Sequence, residues 1–177
     1  MSTDWPEQFL TLGVQYYVAG RSAALLRLIP VSGNLLHHAV EMLLKGVLSL
    51  HHSPDEIRRH RHRLPELWEK YKERHDTGQL REYDQLIIGL HAFEDIRYPD
   101  NIIRSGAAMS VGFGGTAHAD PAGASGAKEP AYALDVCEID RLIATIFRTS
   151  SFIPAFFTGK LTSDARRILG EGNEWLK

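Results

Sequence analysis

Cysteine is all but missing. Cys137 stands alone in 177 residues, so the chain cannot close a disulfide on itself and has no thiolate pair for a metal knuckle or a redox couple. An excess of one charge is missing too. The formal net charge is −2, which gives no global basic field to draw in nucleic acid, so phosphate binding would need a local cluster. Long apolar runs are absent. The most apolar stretch is broken by Glu41 and Lys45 and falls short of the roughly 20 residues a membrane span needs. At the start, MSTDWPEQF carries Asp4 and Glu7 where a secretory leader would have positive charge and an apolar core. Together these absences point to a reducing compartment, read as the cytoplasm, with no membrane partner and no reader of DNA sequence. With 44% apolar and 24% charged residues, the chain has material for a core of its own and reads as one domain, 1–177.

What is present is helical periodicity. Phe9, Leu12, Tyr16, Ala19, Ala23 and Leu26 recur at alternating steps of three and four, one face of a helix over 6–28. Gly13, Gly20, Ala23 and Ala24 keep that helix thin enough for a close neighbour, and Pro30 stops it. A second helix, 34–50, is apolar nearly all round (Leu35, Leu36, Ala39, Val40, Leu43, Leu44, Val47, Leu48), the mark of a central helix. Its narrow polar strip holds His38, Glu41 and Lys45. Ser53-Pro54-Asp55-Glu56 reads as a capping box opening a short basic helix. A third long helix starts at Pro65 with Leu64, Leu67, Trp68 and Tyr71 on one face, and a fourth, 80–96, buries Tyr83, Leu86, Ile87, Leu90 and Phe93. Residues 105–127 hold six Gly, seven Ala and a single charge, Asp120, which reads as a loop. A fifth helix spans 132–149, Pro154 interrupts, and a last short helix starts near Thr162 or Ser163. The fold class is all-α: an up-and-down four-helix bundle (5–100), a Gly/Ala-rich loop (101–131) and C-terminal helices (132–177), without strands.

Several groups carry chemistry. Glu41 and Lys45 lie one turn apart in the order that favours an ion pair. On a mostly buried helix such a strip either closes on itself or faces a cleft, where Lys45 can hold phosphate and Glu41 a ribose hydroxyl. The run Arg58 to Arg63 packs four Arg and two His into six residues, a grip for a nucleic-acid backbone or a solvated turn neutralised by Asp55, Glu56 and Glu66. Nine histidines include the pairs His37-His38, His51-His52 and His60-x-His62. Adjacent helical residues point about 100° apart, and no HExxH or cysteine partner exists, so no metal site is expected. Gly112-Phe113-Gly114-Gly115 lacks the Lys-Ser/Thr ending of a phosphate loop, and Cys137 reads as packed rather than reactive. No cofactor is implied.

Four stretches, in order, resemble the HEPN family of helical domains: YYVAGRSA from Tyr16, GNLLHHAVEMLLKG from Gly33 with its Ala-x-Glu-x-x-x-Lys pattern, HRLPEL from His62, and RYPD from Arg97. The resemblance covers roughly 10–150. It implies a small helical bundle, often a homodimer. Its members include metal-independent endoribonucleases, some of them toxins, and non-catalytic modules that bind nucleotides or associate with RNA. It places Arg97 at the pocket, where an Arg fork suits phosphate oxygens, and a His at position 62, which holds the helix entry by hydrogen bonds or, if it points inward, acts as a general base. Ribonuclease members carry an Arg followed about four to six residues later by a His. From Arg97 this chain reads YPDNIIRSG, with no His. Arg97 and His62 are therefore the catalytic candidates only if catalysis exists.

The expected site is Glu41, Lys45, His62, Arg97, Tyr98 and Asp100. Tyr98 stacks on a base or packs in the core, and Asp100 caps a turn. The leading expectation is a non-catalytic, HEPN-like nucleotide- or RNA-phosphate-binding module, regulatory or related to stress and toxin–antitoxin systems. The rivals are a metal-independent endoribonuclease and a helical scaffold without a ligand site.

Overall fold

The computed structural model describes residues 5–75, 78–114, 131–150 and 152–175. They are mostly helical, with one small sheet. Helices α1 (Trp5–Leu25) and α2 (Ile29–Leu48) form an antiparallel hairpin. The glycines anticipated to thin α1 face α2 directly: a Cβ on Gly13 would stand 2.9 Å from Leu43, and one on Gly20 2.8 Å from Leu36. Any larger residue at these two positions pushes the helices apart. Pro30, expected to stop the first helix, instead lies in the first turn of the second, where its missing N–H has no partner to lose. Helix α2 therefore starts about one turn earlier than its apolar pattern suggests.

Leu36, Ala39, Val40, Leu43, Leu44, Val47 and Leu48 of α2 are wholly buried, as the all-round apolarity of that helix requires. Helix α3 (Pro54–Arg59) opens with the anticipated capping box: Ser53 N donates to Glu56 Oε2 at 2.7 Å, and Glu56 N donates back to Ser53 Oγ at 3.4 Å. Helix α4 (Leu64–His75) buries Leu64, Leu67, Trp68 and Tyr71.

The expected fourth helix is shorter than its pattern. A 3₁₀ turn (Leu80–Tyr83) leads into α5 (Asp84–Ala92), and turns follow from Phe93. Pro99 does not merely end a helix. It sits in the first turn of another, α6 (Pro99–Ser105).

Two strands, β1 (Ala108–Gly112) and β2 (Ala131–Asp135), correct the expectation of a strand-free chain with a helix starting at 132. They pair in parallel from Ala108↔Ala131 to Gly112↔Asp135. Periodicity hides them because each is only five residues long, with small side chains set between the large ones. Met109, Val111 and Tyr132 pack against the core and Leu134 lies within it, so tertiary burial selects the strand. Most of the Gly/Ala-rich stretch, residues 115–130, lies outside the described residues. Asp135 then caps α7 (Val136–Thr149) by accepting from Cys137 N at 2.8 Å. Helices α8 (Pro154–Thr158) and α9 (Ser163–Gly170) follow, α9 starting where expected, with the Thr162 side chain accepting from Ala165 N. Among the described residues no helix is long and apolar enough to cross a membrane.

Candidate functional site

Helix α2 places Glu41 at its middle, with His37 and His38 one turn before it and Lys45 one turn after. The carboxylate has no solvent exposure. Its Oε1 accepts from Lys45 Nζ at 2.5 Å, and Lys45 Nζ donates again to the Arg61 carbonyl at 2.6 Å. Arg61 holds an uncommon left-handed backbone, φ 45°, at this contact. The other oxygen, Oε2, faces three imidazoles: His62 Nδ1 at 3.1 Å, His38 Nδ1 at 3.3 Å and His37 Nε2 at 3.6 Å. Burial alone would raise the Glu41 carboxyl. His37, His38 and Lys45 outweigh it and hold the group well below the usual carboxylate range. Glu41 is an ionised hub.

A chain of polar groups leads outward from this hub. His37 Nε2 stands 3.9 Å from Glu94 Oε2. Glu94 Oε1 accepts from Arg97 Nη1 at 3.0 Å, and the Arg97 guanidinium lies 5.7 Å from the centre of the Tyr98 ring. His91 stacks on His37 at 5.7 Å. Burial, followed by the neighbouring His37, pushes His91 below its ordinary range. Three atoms here, His37 Nε2, His91 Nδ1 and Glu94 Oε2, are buried without a hydrogen-bond partner.

The structure thus gathers Glu41, Lys45 and His62 directly, while Arg97 connects to them only through Glu94 and His37. Lys45 is nearly enclosed, and both of its partners are in place, so it presents no open face to an anion. The same closure removes Glu41 from contact with any ribose. His62, Arg97 and Tyr98 remain accessible, with 53%, 40% and 65% exposure respectively. Asp100 lies in the first turn of α6, where its charge favours the helix N-terminus.

His91 and Glu94 were not singled out in the sequence, and the His37-His38 pair was set aside as a metal site because adjacent side chains diverge. The available signal was His37 and His38 at four and three residues before Glu41. The 100° divergence of neighbouring side chains is real, but the two rings use different nitrogens, Nε2 and Nδ1, to reach one oxygen.

The basic run is held by its acidic flank: Arg58 pairs with Asp55 at 3.3 Å, Arg63 with Glu66 at 2.8 Å and His60 with Glu66 at 3.4 Å. Cys137 is half-buried on α7, and burial pushes its thiol up, away from reactivity. Two surface depressions lie elsewhere. One of about 530 Å³ runs along α1 beside the Glu7–Lys160 pair, and one of about 180 Å³ lies between α5 and β2. Comparison with protein-family models, curated proteins and solved structures yields no match. The functional reading therefore rests on the residues themselves.

Proposed function

We propose that the chain is a HEPN-like, non-catalytic module that binds the phosphate of a nucleotide or of RNA. Arg97 supplies the planar fork, Tyr98 the stacking face and His62 a second polar contact. The observation that carries this reading is the exposed Arg97–Tyr98 stack, whose guanidinium is braced by Glu94 with part of its donor edge free for solvent. Fork donors beside an exposed ring suit an anionic group attached to a flat base. Glu41 and Lys45 support the pocket from within rather than touching the ligand. Catalysis is left out because no His follows Arg97 at the ribonuclease spacing.

The test is binding of a fluorescent single-stranded RNA and a thermal-shift panel of nucleotides, both with chelator present. The expected result is a rise in melting temperature with at least one ligand and weaker binding by Arg97→Ala. A flat panel together with no RNA binding removes the reading. Chelator-resistant RNA cleavage that Arg97→Ala abolishes replaces it with the endoribonuclease.

A second reading, a homodimer built on an apolar corner, draws on Leu25, Leu26, Leu28 and Val31. These four large apolar side chains are all exposed where α1 turns into α2. Light scattering of the wild type beside Leu26→Asp checks it. A dimer that the charged variant splits is the expected outcome.

A further inference from the structure

We propose that His37, His38 and Glu41 form a binding site for a divalent transition-metal ion of the zinc class, with His62 hydrogen-bonded to Glu41 at its solvent side. The metal site shares His62 and Glu41 with the phosphate pocket but does not involve Arg97 or Tyr98, and zinc uptake without RNA or nucleotide tests it separately.

His37 is a buried ring with one nitrogen satisfied and one not. His37 has no exposure, and its Nδ1 lies 3.2 Å from the Leu90 carbonyl. A carbonyl only accepts, so Nδ1 carries the hydrogen. The other nitrogen, Nε2, makes no hydrogen bond, yet it points between two carboxylate oxygens, Glu41 Oε2 at 3.6 Å and Glu94 Oε2 at 3.9 Å. Glu94 Oε2 is itself buried without a partner. A buried ring nitrogen and two carboxylate oxygens facing one another across these gaps give a cation a place to sit.

The spacing identifies the cation's class. A tetrahedral ion held at about 2.0–2.2 Å by imidazole and carboxylate keeps its ligand atoms roughly 3.4 Å apart. From Glu41 Oε2 the three histidine nitrogens stand at 3.1, 3.3 and 3.6 Å. The ligand atoms of His37, His38 and Glu41 all lie within 4.8 Å of one another. The Glu41 Oε2 distances to His38 and His37 are close to the edges of such a coordination shell, and His62 holds the same oxygen by a hydrogen bond. Imidazole donors suit zinc, copper or nickel and discriminate against calcium and magnesium, which take oxygen.

The surroundings fit the same chemistry. Leu90 O orients the His37 ring from behind, as outer-sphere carbonyls do for metal-bound imidazoles. Lys45 takes only Glu41 Oε1 and leaves Oε2 to the ion. His62, about half exposed, gives the ion a way in from solvent. The competing arrangement is a proton on His37 Nε2 bridging the two carboxylates, and metal titration separates the two.

The full chain is stripped with chelator and titrated with zinc at neutral pH by calorimetry. Cobalt serves as a spectroscopic substitute. His38→Ala and His62→Ala are compared with the control His51→Ala/His52→Ala, and circular dichroism checks each fold. The expected result is one zinc per chain, visible absorption bands of tetrahedral cobalt, and affinity lower by about tenfold or more in both site variants. The control keeps wild-type affinity. His62→Ala removes a half-exposed ring and carries the test even where His38→Ala disturbs the helix. Failure of the wild type to take up zinc overturns the proposal. So does uptake that both site variants retain, or that the control loses.

Discussion

The molecule contains two buried charged networks, and they are built to opposite rules. One joins Arg21 of α1 to Asp140 of α7, both without exposure. Arg21 Nη1 donates to Asp140, Nη2 to the Glu171 carbonyl, and Nε to the Ile168 carbonyl at 3.1 Å. Tyr17 donates to the other Asp140 oxygen and accepts from Asn173 Nδ2 at 2.9 Å. Burial first, then Asp140, lifts the Tyr17 phenol well above its ordinary range, so it stays a donor. Among the described residues no atom of this clasp lacks a partner. The other network, around Glu41, leaves three buried atoms without one and opens to solvent through His62. A buried charge whose contacts all close is a tie between helices. One that leaves donors and acceptors facing each other across gaps is prepared for something else.

The comparison breaks most visibly at Asp140. Asp140→Ala leaves a buried guanidinium uncompensated and is expected to cost about 3–5 kcal/mol, while Arg21→Met/Asp140→Leu recovers most of that loss. Denaturant melts measure both, and a single-mutant cost under about 1 kcal/mol would undo the view of this pair as a tie. Zinc sharpens the contrast next. At a hundredfold excess over its dissociation constant it should stabilise the wild type by about 2.7 kcal/mol. Asp140→Ala should keep that increment and His38→Ala should lose about half of it or more. At the rim of the second network, Arg97→Ala is expected to weaken RNA binding about tenfold, the value of one charge-assisted hydrogen bond. The exposed Arg97–Glu94 pair itself is worth no more than about 1 kcal/mol, so the melting temperature should hardly move.

The smallest effect concerns a histidine outside both networks. His75, at the end of α4, stacks on Tyr71 at 4.7 Å. Burial, then Arg74 and His51, hold it below its ordinary value of 6.5. The unfolded chain therefore takes up a proton at higher pH than the folded one. This contribution to stability is complete above about pH 6.5 and is lost as pH falls. His75→Phe should flatten part of the acid loss in melts run between about pH 7 and pH 5.

Helices whose burial follows a single period were legible in the sequence. The all-round apolar α2 could be nothing but central, and Ser53 and Thr162 announced the starts of α3 and α9. A proline misled, because Pro30 read as a stop when it sits in the first turn of the next helix. The strands escaped because each is only five residues long, too short for a clear period, and packing of Met109, Val111 and Leu134 decides them. Within the site, Glu41, Lys45 and His62 were visible as a set through motif order. The outer half was not, because Glu94 and His91 belong to another helix and the turn after it. Their approach to His37 is a product of tertiary packing that no local spacing encodes.

Lys45 is held in place by a main-chain oxygen, that of Arg61, as well as by Glu41. Every residue type carries that oxygen, so substitution at position 61 leaves the anchor standing, and glycine, at ease with a positive φ, should suit it best. The turn can drift in charge and size over generations while the lysine remains seated. Only a change in the path of the backbone, such as an insertion between His60 and Arg63, reaches the lock.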